Sequence, residues 1–101
     1  MSENLLNLVN IIRDRKNKDK DKSYTSSLLL GGLSKCIDKM EEEFGELKEA
    51  LNNKSTVVHE AADTIYHRLV TLEAADIKFE DVLKELEDRK KQSGIIEKNN
   101  R

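Results

Sequence analysis

The stretch EAADTIYHRLVTLEAA, residues 60–75, decides the fold. Val58, Ala61, Ala62, Ile65, Leu69 and Leu72 recur at helical spacing and form one broad apolar face, while Val57, Val70 and Ala74 lie away from it. A helix apolar over most of its circumference is surrounded by protein on several sides. Yet Glu60 and Asp63 interrupt it, with Thr64, His67 and Thr71 on the same side. Acids are out of place in such a helix unless something there needs them.

Working outward, the preceding helix is predicted over residues 33–52. Leu33, Ile37, Met40, Phe44, Leu47 and Leu51 recur at alternating steps of four and three, which makes one stripe. Asn52 and Asn53 end it, and Ser55 is a candidate cap for the next helix, over 56–75. A first helix is expected over 3–16, with Leu5, Leu6, Leu8, Val9, Ile11 and Ile12 as its apolar positions. A short second helix over 24–30 is capped by Ser23 and stopped by Gly31 and Gly32. A fifth is expected over 79–91, with Val82, Leu83 and Leu86 inward. No strand-like alternation and no internal repeat occurs. The expected fold is therefore all-α: one domain over residues 1–101, a bundle of about five helices.

Composition bounds the rest. With 101 residues, 37% hydrophobic and 38% charged, the chain is thin in core-forming residues, and pairing with a second copy is expected to complete its core. The net charge of −2 gives no general attraction to nucleic acid. Residues 16–22, KNKDKDK, read as a solvated, mobile link, and residues 92–101 as a basic tail. No long apolar run or secretory pattern is present, so a cytoplasmic location without a membrane partner is expected. Cys36 is the single cysteine, which excludes an internal disulfide and reads as a buried thiol.

The acids carry the chemistry. On the helix over 33–52, Glu42, Glu43 and Glu46 read E-E-x-x-E; on the next, Glu60 and Asp63 read E-x-x-D. Residues three apart share a helix face. An antiparallel hairpin would bring the two pairs around one point, where their repulsion calls for a counter-charge. Mg²⁺, a hard cation that takes oxygen ligands beside phosphates, is the expected one. At about 100° per residue, Glu43 and Glu46 flank the apolar stripe beside Lys39, whereas Glu42 points toward the back. Glu43, Glu46, Glu60 and Asp63 are thus the candidate ligands. His67 is one turn beyond Asp63, either packed or supporting an acid; His59 reads as a surface residue and Tyr66 as core or dimer contact.

The segments Ser23-Tyr24-Thr25 with Leu28-Leu29, Lys39-Met40-Glu41-Glu42-Glu43-Phe44-Gly45-Glu46, Glu60-Ala61-Ala62-Asp63-Thr64-Ile65-Tyr66-His67 and Ser93-Gly94-Ile95-Ile96-Glu97-Lys98 resemble the phosphoribosyl-ATP pyrophosphatase family, within the all-α MazG-like nucleotide pyrophosphohydrolases. The resemblance covers about residues 5–101. It implies Mg²⁺-dependent hydrolysis of phosphoribosyl-ATP between its α- and β-phosphates, to phosphoribosyl-AMP and pyrophosphate, the second step of histidine biosynthesis. It implies Glu43, Glu46, Glu60 and Asp63 as metal ligands and Glu42 as an assisting group that positions water. For the phosphates and ribose the candidates are Lys39, then Lys98 and Arg101, then Arg89, with Thr25 and Ser93 as hydrogen-bond donors. Glu41, Phe44 and the Asn99-Asn100 pair depart from the family pattern, where glycine or small residues are usual, and bear on substrate fit rather than on the ligands. The alternatives are a MazG-like pyrophosphatase for another nucleoside triphosphate and a non-catalytic helical dimer serving as an interaction module.

Overall fold

The computed structural model describes residues 2–16 and 23–90. Link residues 17–22 and the tail, with Ser93, Lys98 and Arg101, lie outside the described residues. Five helices follow in order: α1 (Ser2–Arg15), α2 (Tyr24–Leu30), α3 (Leu33–Asn53), α4 (Val57–Ala74) and α5 (Phe79–Arg89), with no strand among the described residues. Each matches its expected range to within two residues, because the apolar spacing and the glycine stop are local signals, but Asn52 and Asn53 lie inside α3 and Lys54, at φ 54, ends it instead.

Local chemistry sets the helix ends. The Ser23 side chain accepts the Ser26 amide at 3.0 Å and caps α2. Gly32 adopts φ 91 between α2 and α3, a conformation costly for any residue with a Cβ. The start of α4 differs from expectation. Thr56, not Ser55, holds the cap position, in the left-handed region at φ 55, and its hydroxyl turns back to donate to the Ser55 carbonyl at 2.7 Å. A β-branched residue is strained there, and no side chain caps the helix.

α3 and α4 form the main pairing. The Thr71 hydroxyl donates to the Cys36 carbonyl at 3.3 Å, His67 faces Glu43, and Glu60 meets Glu46, so the two helices run antiparallel. The core sits toward one end of this hairpin. Val9 and Ile12 of α1, Leu28 of α2, Cys36 of α3 and Leu69 and Val70 of α4 are buried, with Leu5, Leu8, Leu29, Tyr66, Ala74 and Phe79 packed on them. Cys36 is a buried free thiol, as expected, and its Sγ donates to the Leu28 carbonyl at 3.3 Å. At the same end, Arg13 pairs with Glu73 and Glu80, and Lys16 with Asp76, which ties α1 to the end of α4 and the start of α5.

The apolar faces are placed differently from a simple inward reading. Val70 is buried, whereas Val58 and Ile65 of the supposed main face are 84% and 47% exposed. On α3, Leu33, Ile37, Phe44 and Leu51 are exposed, and on α5 Leu86 is exposed rather than inward. The side of α4 that meets α3 within one chain carries the buried Thr64 and His67. The apolar stripes of α3 and α4 are therefore left largely uncovered.

Candidate active site

The half of the hairpin nearest the α3–α4 turn carries the acids. Carboxylate oxygens of Glu43, Glu46 and Glu60 lie within 4.8 Å of one another, and His59, Glu60 and Asp63 form a second group of the same dimension that shares Glu60. All four expected ligands thus come to one neighbourhood, two from each helix. The i,i+3 spacing puts each pair on one face of its helix, and the hairpin turns those two faces toward each other.

Burial makes the arrangement costly without a cation. The Glu43 side chain is 15% exposed. Glu43 Oε2 and Glu60 Oε2 are buried without a hydrogen-bond partner. Loss of water raises the carboxyl pKa of Glu43 above its ordinary value, and the neighbouring charge of Glu46 pushes it further. Glu60 is raised as well, first by desolvation and then by Glu46. Buried carboxylates take partners or neutralise. A divalent cation with oxygen ligands fits these orphaned oxygens, and the hard, all-carboxylate donor set suits Mg²⁺ better than a thiophilic ion.

Around the acids stand several polar groups. His67 Nε2 lies 3.9 Å from Glu43 Oε1, beyond hydrogen-bond reach, and burial holds the ring below its ordinary pKa and so neutral near pH 7. His59, read from the sequence as a surface residue, is exposed, but its Nε2 lies 3.3 Å from Asp63 Oδ2. Its i,i+4 spacing to Asp63 was the available signal. Glu42 is exposed and outside both acid groups, where its carboxylate accepts from Lys39 at 3.3 Å. That hydrogen bond raises the pKa of Lys39. Thr25 shares a hydroxyl hydrogen bond with Tyr66. Arg89, at the end of α5, donates to Glu85 at 3.2 Å. Beside the acids, Glu46, Glu49, Ala50, Asn53, Ser55, Thr56 and Glu60 line an open cleft of about 250 Å³.

A helical hairpin that gathers half-buried carboxylates at one point defines a class: an all-α domain with a site for a cation and the anionic group it accompanies. Comparison with known proteins gives the particular family. The family described as phosphoribosyl-ATP pyrophosphohydrolase matches residues 5–90. The chain is 44% identical over 92 residues to a phosphoribosyl-ATP pyrophosphatase of Roseobacter denitrificans, covering 89% of this chain and 88% of that one. It is 39% identical over 99 residues to one from Rhizobium etli, covering 96% and 92%. It is 42% identical over 90 residues to one from Clostridium acetobutylicum, covering 87% and 82%. The chain belongs to the phosphoribosyl-ATP pyrophosphohydrolase family. Membership makes it a hydrolase, with phosphoribosyl-ATP pyrophosphatase activity in histidine biosynthesis.

Proposed function

We propose that the chain hydrolyses phosphoribosyl-ATP between its α- and β-phosphates with Mg²⁺ held by Glu43, Glu46, Glu60 and Asp63, as a homodimer in the cytoplasm. The observation that supports the metal most strongly is the pair of buried, unpartnered oxygens, Glu43 Oε2 and Glu60 Oε2, on facing helices. Bound there, Mg²⁺ supplies charge neutralisation for the triphosphate and lowers the pKa of water for attack.

The remaining steps belong to side chains. Lys39 carries its ammonium on α3, one turn before Glu43, where it can hold a phosphate oxygen in place of Glu42. Glu42, released from that pair, is then an exposed carboxylate one residue from Glu43, free to orient water. His67, neutral and enclosed, stands behind Glu43 at 3.9 Å and keeps water from that side of the carboxylate. Ser93, Lys98, Arg101, Arg89 and Thr25 remain candidates for the outer phosphates and ribose.

Support for a dimer comes from what one chain leaves uncovered. Phe44 and Leu51 of α3 and Val58 and Ile65 of α4 are 54%, 55%, 84% and 47% exposed. Such a patch on a small domain with a thin core marks an interaction surface. A second copy offers the same stripes, and pairing the hairpins buries them as a larger bundle with the acids at its flank. No helix among the described residues is long and apolar enough to cross a membrane.

The test is incubation of the chain with phosphoribosyl-ATP, with and without Mg²⁺, and detection of pyrophosphate. Release only with the divalent cation is expected. No release with any divalent cation overturns the reading, and preferential release from a non-standard deoxynucleoside triphosphate would assign a different substrate to the same acids.

A further inference from the structure

Tyr24 is 56% exposed on the first turn of α2, which is pinned from three directions. Ser23 caps the Ser26 amide at 3.0 Å; the Ser26 hydroxyl donates to the Arg15 carbonyl at 3.0 Å; and the Thr25 hydroxyl is bonded to Tyr66 of α4. Neither the capping nor the core requires an aromatic residue at this position. The ring nonetheless joins an aromatic group that leads to the acids. It lies nearly parallel to Tyr66, with centroids 6.4 Å apart and planes 19° apart, and meets His67 edge-on at 6.0 Å. His67 in turn faces Glu43 at 3.9 Å. Lys39, the phosphate candidate, is within electrostatic reach of Tyr24 and of Glu43. An exposed π surface, a cation and a carboxylate group therefore stand side by side, the same succession of chemistries as base, phosphate and metal in a nucleotide.

We propose that the exposed face of the Tyr24 ring is the stacking surface for the purine base of the nucleotide. The inference rests on the pyrophosphatase reading for the orientation of the ligand, with the phosphates toward Glu43 and the base toward α2. Base–aromatic stacking tolerates variation in the base edge, because every base presents a π face. Tyr24 would thus anchor the nucleotide without reading it through hydrogen bonds, and a rigid turn keeps the ordering cost of that contact low.

Three variants of the full chain, in Mg²⁺, decide it with AMP and inorganic pyrophosphate as calorimetric probes. Tyr24→Leu keeps apolar bulk but removes the π face. It should weaken AMP about tenfold, within the range measured for single stacked bases, and raise the KM for phosphoribosyl-ATP more than it lowers kcat. Pyrophosphate, which has no base, should bind as before. Tyr24→Phe should restore AMP binding. Tyr24→Trp introduces the chain's sole tryptophan; its fluorescence should be quenched by AMP and not by pyrophosphate, which keeps the test alive should the leucine variant fail to fold. Unchanged AMP binding in Tyr24→Leu overturns the proposal. So does equal weakening of AMP and pyrophosphate, which would make Tyr24 a support for the fold, or an indole blind to AMP. A wild-type chain that binds AMP through Tyr24 but releases no pyrophosphate from phosphoribosyl-ATP would instead refute the functional reading and leave the stacking surface standing.

Discussion

Replacing Glu43 by Gln should raise the melting temperature of the metal-free chain and lower it, relative to wild type, in saturating Mg²⁺. In the absence of a cation Glu43 has an unpartnered buried oxygen and a carboxylate neighbour, Glu46, no farther than 4.8 Å away. A pair of like charges at that distance costs about 1 kcal/mol in water and about 3.5 kcal/mol at an effective dielectric of 20. Glu46 is exposed and screened, so the lower figure applies. The amide keeps the shape and removes the repulsion, which gives a gain of about 1 kcal/mol, or roughly 4–8 °C for a domain of this size. Mg²⁺ at a hundred times its dissociation constant stabilises wild type by about 2.7 kcal/mol through mass action. A variant short of one ligand receives little of that, so the order of melting temperatures inverts. Differential scanning calorimetry at one fixed protein concentration reads both signs. A variant that melts lower without Mg²⁺, or a wild type whose melting does not respond to Mg²⁺, would refute the argument. The sign with pH is also fixed: because the folded pKa of Glu43 is raised, the metal-free wild type loses stability as pH climbs from the ordinary carboxyl value through the raised one, and the advantage of the amide variant shrinks as pH falls back.

Asp63→Asn and Glu46→Gln should each lower kcat/KM for phosphoribosyl-ATP by roughly a hundredfold or more, about 2.7 kcal/mol of transition-state stabilisation, while circular dichroism shows intact helices; activity that survives both changes would remove the metal role. Phe44→Glu places a charge on the uncovered stripe of α3 and should convert a dimer to a monomer in sedimentation velocity, with Ile65→Glu acting the same way from α4. Arg13→Met should destabilise the chain only above acidic pH. The guanidinium holds the Glu80 carboxyl down to about 2, so the benefit is fully present above the ordinary value of 4.5 and disappears as pH falls from there to about 2. The difference in melting temperature between variant and wild type should narrow across that interval, as read by thermal scans at stepped pH.

The helices and the four acids that gather between α3 and α4 were legible in the sequence because both are local. The four-and-three steps of α3, the Ser23 cap and the i,i+3 spacing of Glu43 with Glu46 and Glu60 with Asp63 need no knowledge of the rest of the chain. What the sequence hid depends on pairing between distant segments. The Arg13–Glu80 bond spans 67 positions and the Thr25–Tyr66 bond 41, and no periodicity announces either. The left-handed Thr56 was hidden for a different reason: Ser55 has the chemistry of a cap, but a three-residue turn between antiparallel helices fixes the backbone before side-chain preference can act. The apolar stripes show a third limit. Periodicity marks an apolar stripe but not what covers it, so Phe44, Val58 and Ile65 stand out in the sequence although one chain leaves them exposed.

The central claim is that acids of α3 and α4 share one divalent ion, and crystals of the full chain grown with Mn²⁺ in place of Mg²⁺ test it most directly. An anomalous peak should stand among the carboxylates of Glu43, Glu46, Glu60 and Asp63, within bonding distance of oxygens from both helices. A peak elsewhere, or four acids turned apart toward solvent with no ion between them, would contradict it.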